Sequence, residues 1–223
     1  MDYTRAQIIF ENRHDAGRQL AAELSEYSNS SAVVLAIPNG GVPIALEIGN
    51  TLKIDFDLVI CRKIPMPLNP GVGFGAVVDD GTLILNEEAV ARIGLNRQQI
   101  EYEASRVRAD IKQRSMLYQA TRPLVSMTGK AAIIVDDGLA SGYTMMAAVQ
   151  SVRHRRPREI VVAVPVASAN AFAKLEGAAD KVVACARALM PNYHISDFYQ
   201  YWQDLSDNDV IRYLKQWQTR HFR

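Results

Sequence analysis

The 223-residue sequence predicts an α/β fold built on a mainly parallel sheet, and three features predict it. Short unbroken apolar runs, Ala131 to Val135 and Ala32 to Ile37 among them, lack polar alternation, as strands covered on both faces do. Each of these two runs ends in a small-residue turn, Asp136-Asp137-Gly138-Leu139-Ala140-Ser141-Gly142 in one case and Pro38-Asn39-Gly40-Gly41 in the other. A helical pattern then follows each turn. Met145, Ala148, Val149 and Val152 keep helical spacing after the first, and Val42 to Leu52 does so after the second, where Pro43 suits a first helical turn.

The other elements follow in order. Between Asp15 and Tyr27, Ala16, Leu20, Ala21 and Leu24 share one helical face, with Phe10 and the preceding isoleucines expected beneath it. Phe56 to Cys61 is a strand that delivers Arg62 and Lys63 at its carboxyl end, the edge where open α/β sheets place ligands. Pro65, Pro67, Pro70, Gly71, Gly73 and Gly75 erase apolar periodicity, so Met66 to Gly75 is expected to be a mobile loop. Ala76 to Val78 and Leu83 to Leu85 flank an Asp-Asp-Gly turn as a hairpin, and Asn86 is placed to cap a helix beginning at Glu87.

From Arg97 to Gln119 no Gly or Pro interrupts, and Ile100, Ala104, Val107 and Ile111 keep a four-three-four spacing. The resulting helix, about 30 Å long at ~1.5 Å per residue, exceeds what the sheet requires and is a candidate arm or homodimer contact. Pro123 and Gly129 break the chain before the central strand. Glu159 to Pro165 is another buried strand, Ala169 to Leu175 a short helix, Lys181 to Ala184 a strand and Asp207 to Gln218 a closing helix. Asn192 to Trp202 is rich in aromatic residues.

With 48% hydrophobic residues and a net charge of +1, the chain suits one domain with a subdomain. Nucleic acid is not an expected partner: the basic cluster Arg153-His154-Arg155-Arg156-Pro157-Arg158 reads as a solvated helix end. Cys61 and Cys185 lie in apolar runs without disulfide or zinc spacing, which fits a reducing compartment. No signal-like or membrane-spanning segment is evident, so a soluble cytoplasmic protein without membrane attachment is expected.

The chemistry concentrates in Ala131 to Met146. Two carboxylates, Asp136 and Asp137, stand at a strand's carboxyl end. Gly138, Ser141 and Gly142 permit unusual backbone angles, and Ser141 and Thr144 place hydroxyls beside a helix amino terminus, where free amides and the dipole favour a phosphate.

Ile133 to Thr144 resembles the phosphoribosyl-diphosphate (PRPP) motif of the type I phosphoribosyltransferases, with one departure at Gly138, where that family usually carries a larger apolar residue. The Arg-Lys-Ile-Pro stretch, the Gly-Ala-Val hairpin and the long helix are similar to a poorly characterised bacterial branch of it. The resemblance implies a doubly wound sheet within one domain over residues 1–223. A hairpin and long-helix insertion would occupy about 64–122, and a hood about 186–223.

The implied activity is transfer of the phosphoribosyl group of PRPP to a nitrogenous base or related small-molecule acceptor, with release of pyrophosphate and with Mg2+. Asp136 and Asp137 would hold the ribose hydroxyls, directly or through magnesium and water. Ala140, Ser141, Gly142, Tyr143 and Thr144 would grip the 5′-phosphate. Asn39, Gly40, Gly41 and Arg62 would bind pyrophosphate, with Asn39 where the family often has a basic residue, and Lys63 would counter its charge. For the acceptor, the hood aromatics Phe198, Tyr199, Tyr201 and Trp202 are the candidates, although such clusters also fill small cores.

A non-catalytic sensor of PRPP or a nucleotide with the same fold is the alternative. A P-loop hydrolase is excluded because Gly-x-x-x-x-Gly-Lys-[Ser/Thr] does not occur, and the spacing of His14, His154, His194 and His221 does not suit a metal-dependent hydrolase.

Overall fold

Every residue from Ala131 to Val135 is buried, and the sheet around that run sets the place of the other elements. The computed structural model describes residues 1–3, 7–67, 69–121, 125–190 and 193–221. In chain order they form β1 (Asp2–Tyr3), α1 (Arg13–Glu23), β2 (Val33–Ala36), α2 (Gly41–Leu52), β3 (Asp55–Leu58), β4 (Cys61–Met66), β5 (Asn69–Val78), β6 (Leu83–Leu85), α3 (Glu87–Ile93) and α4 (Arg97–Tyr118). Then come β7 (Ala131–Val135), α5 (Tyr143–His154), β8 (Glu159–Ser168), α6 (Ala169–Glu176), β9 (Lys181–Ala188) and α7 (Asp207–His221).

The main sheet runs β1-β9-β8-β7-β2-β3, and all its neighbouring strands are parallel. From the adjacent pair β2 and β7 the strands wind outward in both directions, which makes the fold doubly wound. Alternation along the strands then divides the core. Val34, Ala36, Ile133 and Val135 pack with Leu20 of α1 and Leu24 that follows it, Ile44 and Ile48 of α2 and Leu214 of α7. Val33, Leu35, Ala132 and Ile134 pack on the opposite face with Met145, Val149 and Val152 of α5 and Phe172 of α6. Phe10 lies in a third cluster, with Ala16, Phe198 and Tyr199, whereas Ile8 is exposed.

Strands β4, β5 and β6 form a separate antiparallel sheet, and here the structure corrects two expectations. The expected single strand Phe56 to Cys61 is divided: β3 ends at Leu58, and Cys61 opens β4 in the second sheet. The Pro/Gly-rich segment is mostly strand. β5 begins at Asn69 and pairs with β4 from Met66↔Asn69 to Cys61↔Val78, with register shifts on either side of Pro65. Gly73 and Gly75 lie where neighbouring backbone closes in: a Cβ on Gly75 would stand 2.5 Å from the Ile84 carbonyl oxygen. Leu68 of that segment, Pro123 before the central strand and Asn192 at the start of the aromatic segment lie outside the described residues.

Helix α4 begins with a capping box between Asn96 and Gln99. It does not project as an arm. Ala104, Val107, Ile111 and Tyr118 are buried in one cluster with Ile64, Phe74 and Val77 of the second sheet. The basic segment after His154 is engaged by its neighbours, Arg155 with Asp79 at 3.8 Å and His154 with Asp80 at 3.4 Å.

The close approach at Gly75 gives a stability prediction. Gly75→Val should destabilise the fold by about 1–3 kcal/mol, since an overpacked position must displace the β6 backbone. Urea unfolding with an unchanged m-value would read this as a lower midpoint; a midpoint equal to wild type would show that the strands have room there.

Candidate active site

Strands β2 and β7 lie side by side, with Ala36 opposite Val135, so the turns that follow them meet at one sheet edge. The space between them is small. A Cβ on Gly41 would be 2.5 Å from the Val135 carbonyl oxygen, and one on Gly40 would be 1.9 Å from Oδ2 of Asp137. Both glycines are therefore required by the acidic turn they face. The Pro38–Asn39 peptide between them and β2 is cis.

The acidic turn is tied down along its length. Leu139 donates its N–H to the Val166 carbonyl at 2.8 Å and accepts at its own carbonyl from the Ser168 N–H and the Tyr193 hydroxyl, both at 2.9 Å. The Ser168 hydroxyl donates to the Ala140 carbonyl and the Tyr199 hydroxyl to the Asp137 carbonyl, each at 2.8 Å. Gly138, the departure from the family pattern, has a physical explanation. A Cβ there would lie 2.6 Å from Cδ1 of Ile195, so an apolar side chain from the hood occupies the space that a larger residue would fill.

A cavity of about 360 Å3 opens on this turn. Asp136, the run from Ala140 to Thr144, and Lys63, Gly73 and Gly75 of the second sheet line it. Gly142 adopts φ +83°, which a side chain would resist, and starts α5 so that Tyr143 and Thr144 sit in its first turn. Burial, then the adjacent Asp137 carboxylate, push the Asp136 carboxyl well above the usual carboxylate range. Burial raises Asp137 as well, against the opposing pull of the Arg13 guanidinium.

Arg13 was not legible as a site residue in the sequence, yet it is the partner of Asp137. Its Nε and Nη2 donate to Oδ2 at 3.0 and 2.8 Å, its Nη1 donates to the Gln203 carbonyl at 2.8 Å, and its guanidinium stacks 3.7 Å from the Trp202 ring centre. Only 7% of the residue is exposed. A signal existed: Arg13 falls three positions before Ala16 and seven before Leu20, which places a cation on the buried stripe of α1.

The expected pyrophosphate residues are gathered differently. Because successive strand side chains point to opposite faces, Arg62 and Lys63 separate. Lys63 lines the cavity, while Arg62 reaches Asn39 Oδ1 at 3.4 Å. Arg114 of α4 approaches the same oxygen at 3.5 Å and is held by Asp110 at 2.8 Å and by Asp207, and the Asn39 amide donates to the Leu205 carbonyl at 2.6 Å. Burial and the neighbouring Arg114 guanidinium hold the Arg62 pKa below its ordinary value.

Two of the four aromatic candidates for the acceptor are interior. Phe198 is 0% and Tyr199 4% exposed, in the cluster with Phe10 and Ala16, so neither offers an open ring face to an acceptor. Trp202 is half-buried with Arg13 across its ring, and Tyr201 is 63% exposed. Burial, with Asp137 close by, pushes the Tyr199 hydroxyl well above its ordinary pKa and keeps it a donor.

Residues 7–195 match the family model described as a phosphoribosyl transferase domain. The chain belongs to this family. Proteins from two strains of Mycobacterium tuberculosis, provisionally named phosphoribosyl transferases, are 34% identical over 206 residues, covering 92% of this chain and 46% of theirs. The chain thus spans about half the length of the curated relatives it matches. The crystal structure of TT1426 from Thermus thermophilus superposes with a TM-score of 0.77 at 35% identity, over 94% of this chain and 99% of that one. In this phosphoribosyl transferase domain no helix among the described residues is long and apolar enough to cross a membrane.

The tyrosine clasp on the acidic turn is open to test. Tyr199→Phe should cost about 1–3 kcal/mol because it leaves the Asp137 carbonyl without its donor, whereas Tyr201→Phe at the surface should stay within about 0.5 kcal/mol. Equal unfolding midpoints for the two variants would mean that the turn does not depend on the Tyr199 hydroxyl.

Proposed function

We propose that the chain transfers the 5-phosphoribosyl group of PRPP to a nitrogenous base or related acceptor and releases pyrophosphate. The observation that carries this reading is the cavity that joins Ala140 to Thr144, Asp136 and Lys63 in one lining. The Ser141 and Thr144 hydroxyls and the amides opening α5 suit the 5′-phosphate, which the helix dipole also favours. Asp136 suits the ribose hydroxyls, whose donors would relieve the cost of a buried carboxylate. Lys63 counters the pyrophosphate charge, and Arg62 and Arg114, each paired with a carboxylate, bring guanidinium donors to Asn39.

Catalysis of this kind is mainly positioning and charge stabilisation. As the bond from C1 to the pyrophosphate oxygen breaks and the bond to the acceptor nitrogen forms, a carboxylate such as Asp136, which lines the cavity, suits the positive charge that develops. Magnesium fits the donor set, because it takes one or two carboxylates and completes its shell with water and phosphate oxygens, and when bound it neutralises pyrophosphate charge.

The acceptor is best accommodated in a groove of about 720 Å3 beside the cavity. The groove shares Ala140 and Ser141 with it and is also lined by Ser168, Asn170, Tyr193 and His194. A second reading, a non-catalytic sensor of PRPP or a nucleotide, draws support from Asn39, whose uncharged side chain is engaged by Leu205, Arg62 and Arg114.

Incubating the protein with PRPP, magnesium and a panel of bases separates the two. Pyrophosphate release with one or more bases is expected, and PRPP binding without release across the panel would favour the sensor. Lys63→Ala should weaken PRPP and pyrophosphate by about tenfold, near 1.4 kcal/mol, and ribose 5-phosphate by less. An equal loss for all three ligands in calorimetry would remove Lys63 from the pyrophosphate side.

A further inference from the structure

The two adjacent carboxylates of the acidic turn occupy different surroundings. Asp136 lines the cavity. Asp137 is not among the residues lining it: the carboxylate sits where a Gly40 side chain would stand, 1.9 Å from that ideal Cβ, and Nε and Nη2 of Arg13 converge on its Oδ2. Arg13 is itself fixed from three sides, by Asp137, by the Gln203 carbonyl and by the Trp202 ring. The Asp137 carbonyl is held as well, by Tyr199.

We propose that Asp137 and Arg13 are positioning residues that form one buried strut seating the Asn39-Gly40-Gly41 turn, and that Asp136 alone of the two carboxylates touches the ribose. A buried ion pair costs desolvation on both partners and is repaid only with good geometry and further hydrogen bonds, both of which are present here. Two ionised neighbours facing one ligand would repel each other. Arg13 offsets part of the Asp137 charge, and the turn presents Asp136 alone of the two to the cavity. The strut reaches from α1 through the acidic turn to the Gly-Gly turn, three segments that are distant in sequence. The ligand half of this inference rests on the phosphoribosyl reading above.

Two measurements test it. Calorimetry on the full chain with magnesium would use ribose 5-phosphate and pyrophosphate as separate probes. Asp136→Asn should weaken ribose 5-phosphate by about tenfold or more. Asp137→Asn and Arg13→Lys, which keeps the charge but loses the two-pronged geometry, should leave ribose 5-phosphate within about threefold and weaken pyrophosphate by about tenfold. The double variant should be no worse than the poorer single one, as expected of residues acting together. A loss of ribose 5-phosphate affinity in Asp137→Asn equal to that in Asp136→Asn would overturn the proposal.

Hydrogen exchange without ligand reads the strut directly. The amides of Gly40, Gly41, Val42 and Ile44 should exchange faster in Arg13→Lys and Asp137→Asn but not in Asp136→Asn, and unchanged protection in the first two variants would also overturn it. If wild type binds neither probe, the phosphoribosyl reading fails and with it the ribose assignment, while exchange still decides whether the strut exists.

Discussion

The parallel pairing of β2 with β7 is the constraint on which the site depends. Placing Ala36 opposite Val135 sends two turns to the same edge at about the 4.8 Å spacing of neighbouring strands, and no ordinary side chain fits between them. Glycine at 40 and 41 follows from the Val135 carbonyl and the Asp137 carboxylate that stand there. The usual reading of a Gly-Gly pair, that it lets backbone approach an anionic ligand, thus has a structural counterpart in this protein. The anion pressed against Gly40 is the chain's own.

The hood follows the same logic. The Leu139 and Asp137 carbonyls need donors, and Tyr193 and Tyr199 reach them while their rings pack in the cluster around Phe198. A core made only of Phe and Leu would take the Tyr199 donor from the Asp137 carbonyl and leave the Leu139 carbonyl with the Ser168 N–H alone. The aromatic richness of the segment is therefore explained by loop support, and Ile195 supplies from the same hood the bulk missing at Gly138.

Much of the architecture was legible in the sequence because the signals were local. Buried strands, the Asn86 cap, the Asp79–Gly81 hairpin turn and the small-residue turn that leads into α5 each occupy a few consecutive residues. The segment from Met66 to Gly75 misled because Pro and Gly normally end a strand; here Gly75 and Gly73 are tolerated in β5 since adjacent backbone leaves no volume for a side chain. Burial, not composition, likewise decided that Phe198 and Tyr199 face inward.

Arg13 and Arg114 escaped notice for one shared reason, since their partners lie far away in sequence. Asp137 is 124 residues from Arg13, and Asn39 is 75 residues from Arg114. Both arginines nonetheless continue an apolar helical stripe: Arg13 precedes Ala16 and Leu20, and Arg114 falls between Ile111 and Tyr118. A cation in register with a buried face must find an anion or another acceptor inside the fold, because leaving it unpaired would cost several kcal/mol. Each stripe ends at the sheet edge where the two turns meet. The helices thus bring paired charge to that edge as part of how they pack, and this gives the long helix a place in the site as well as in the core.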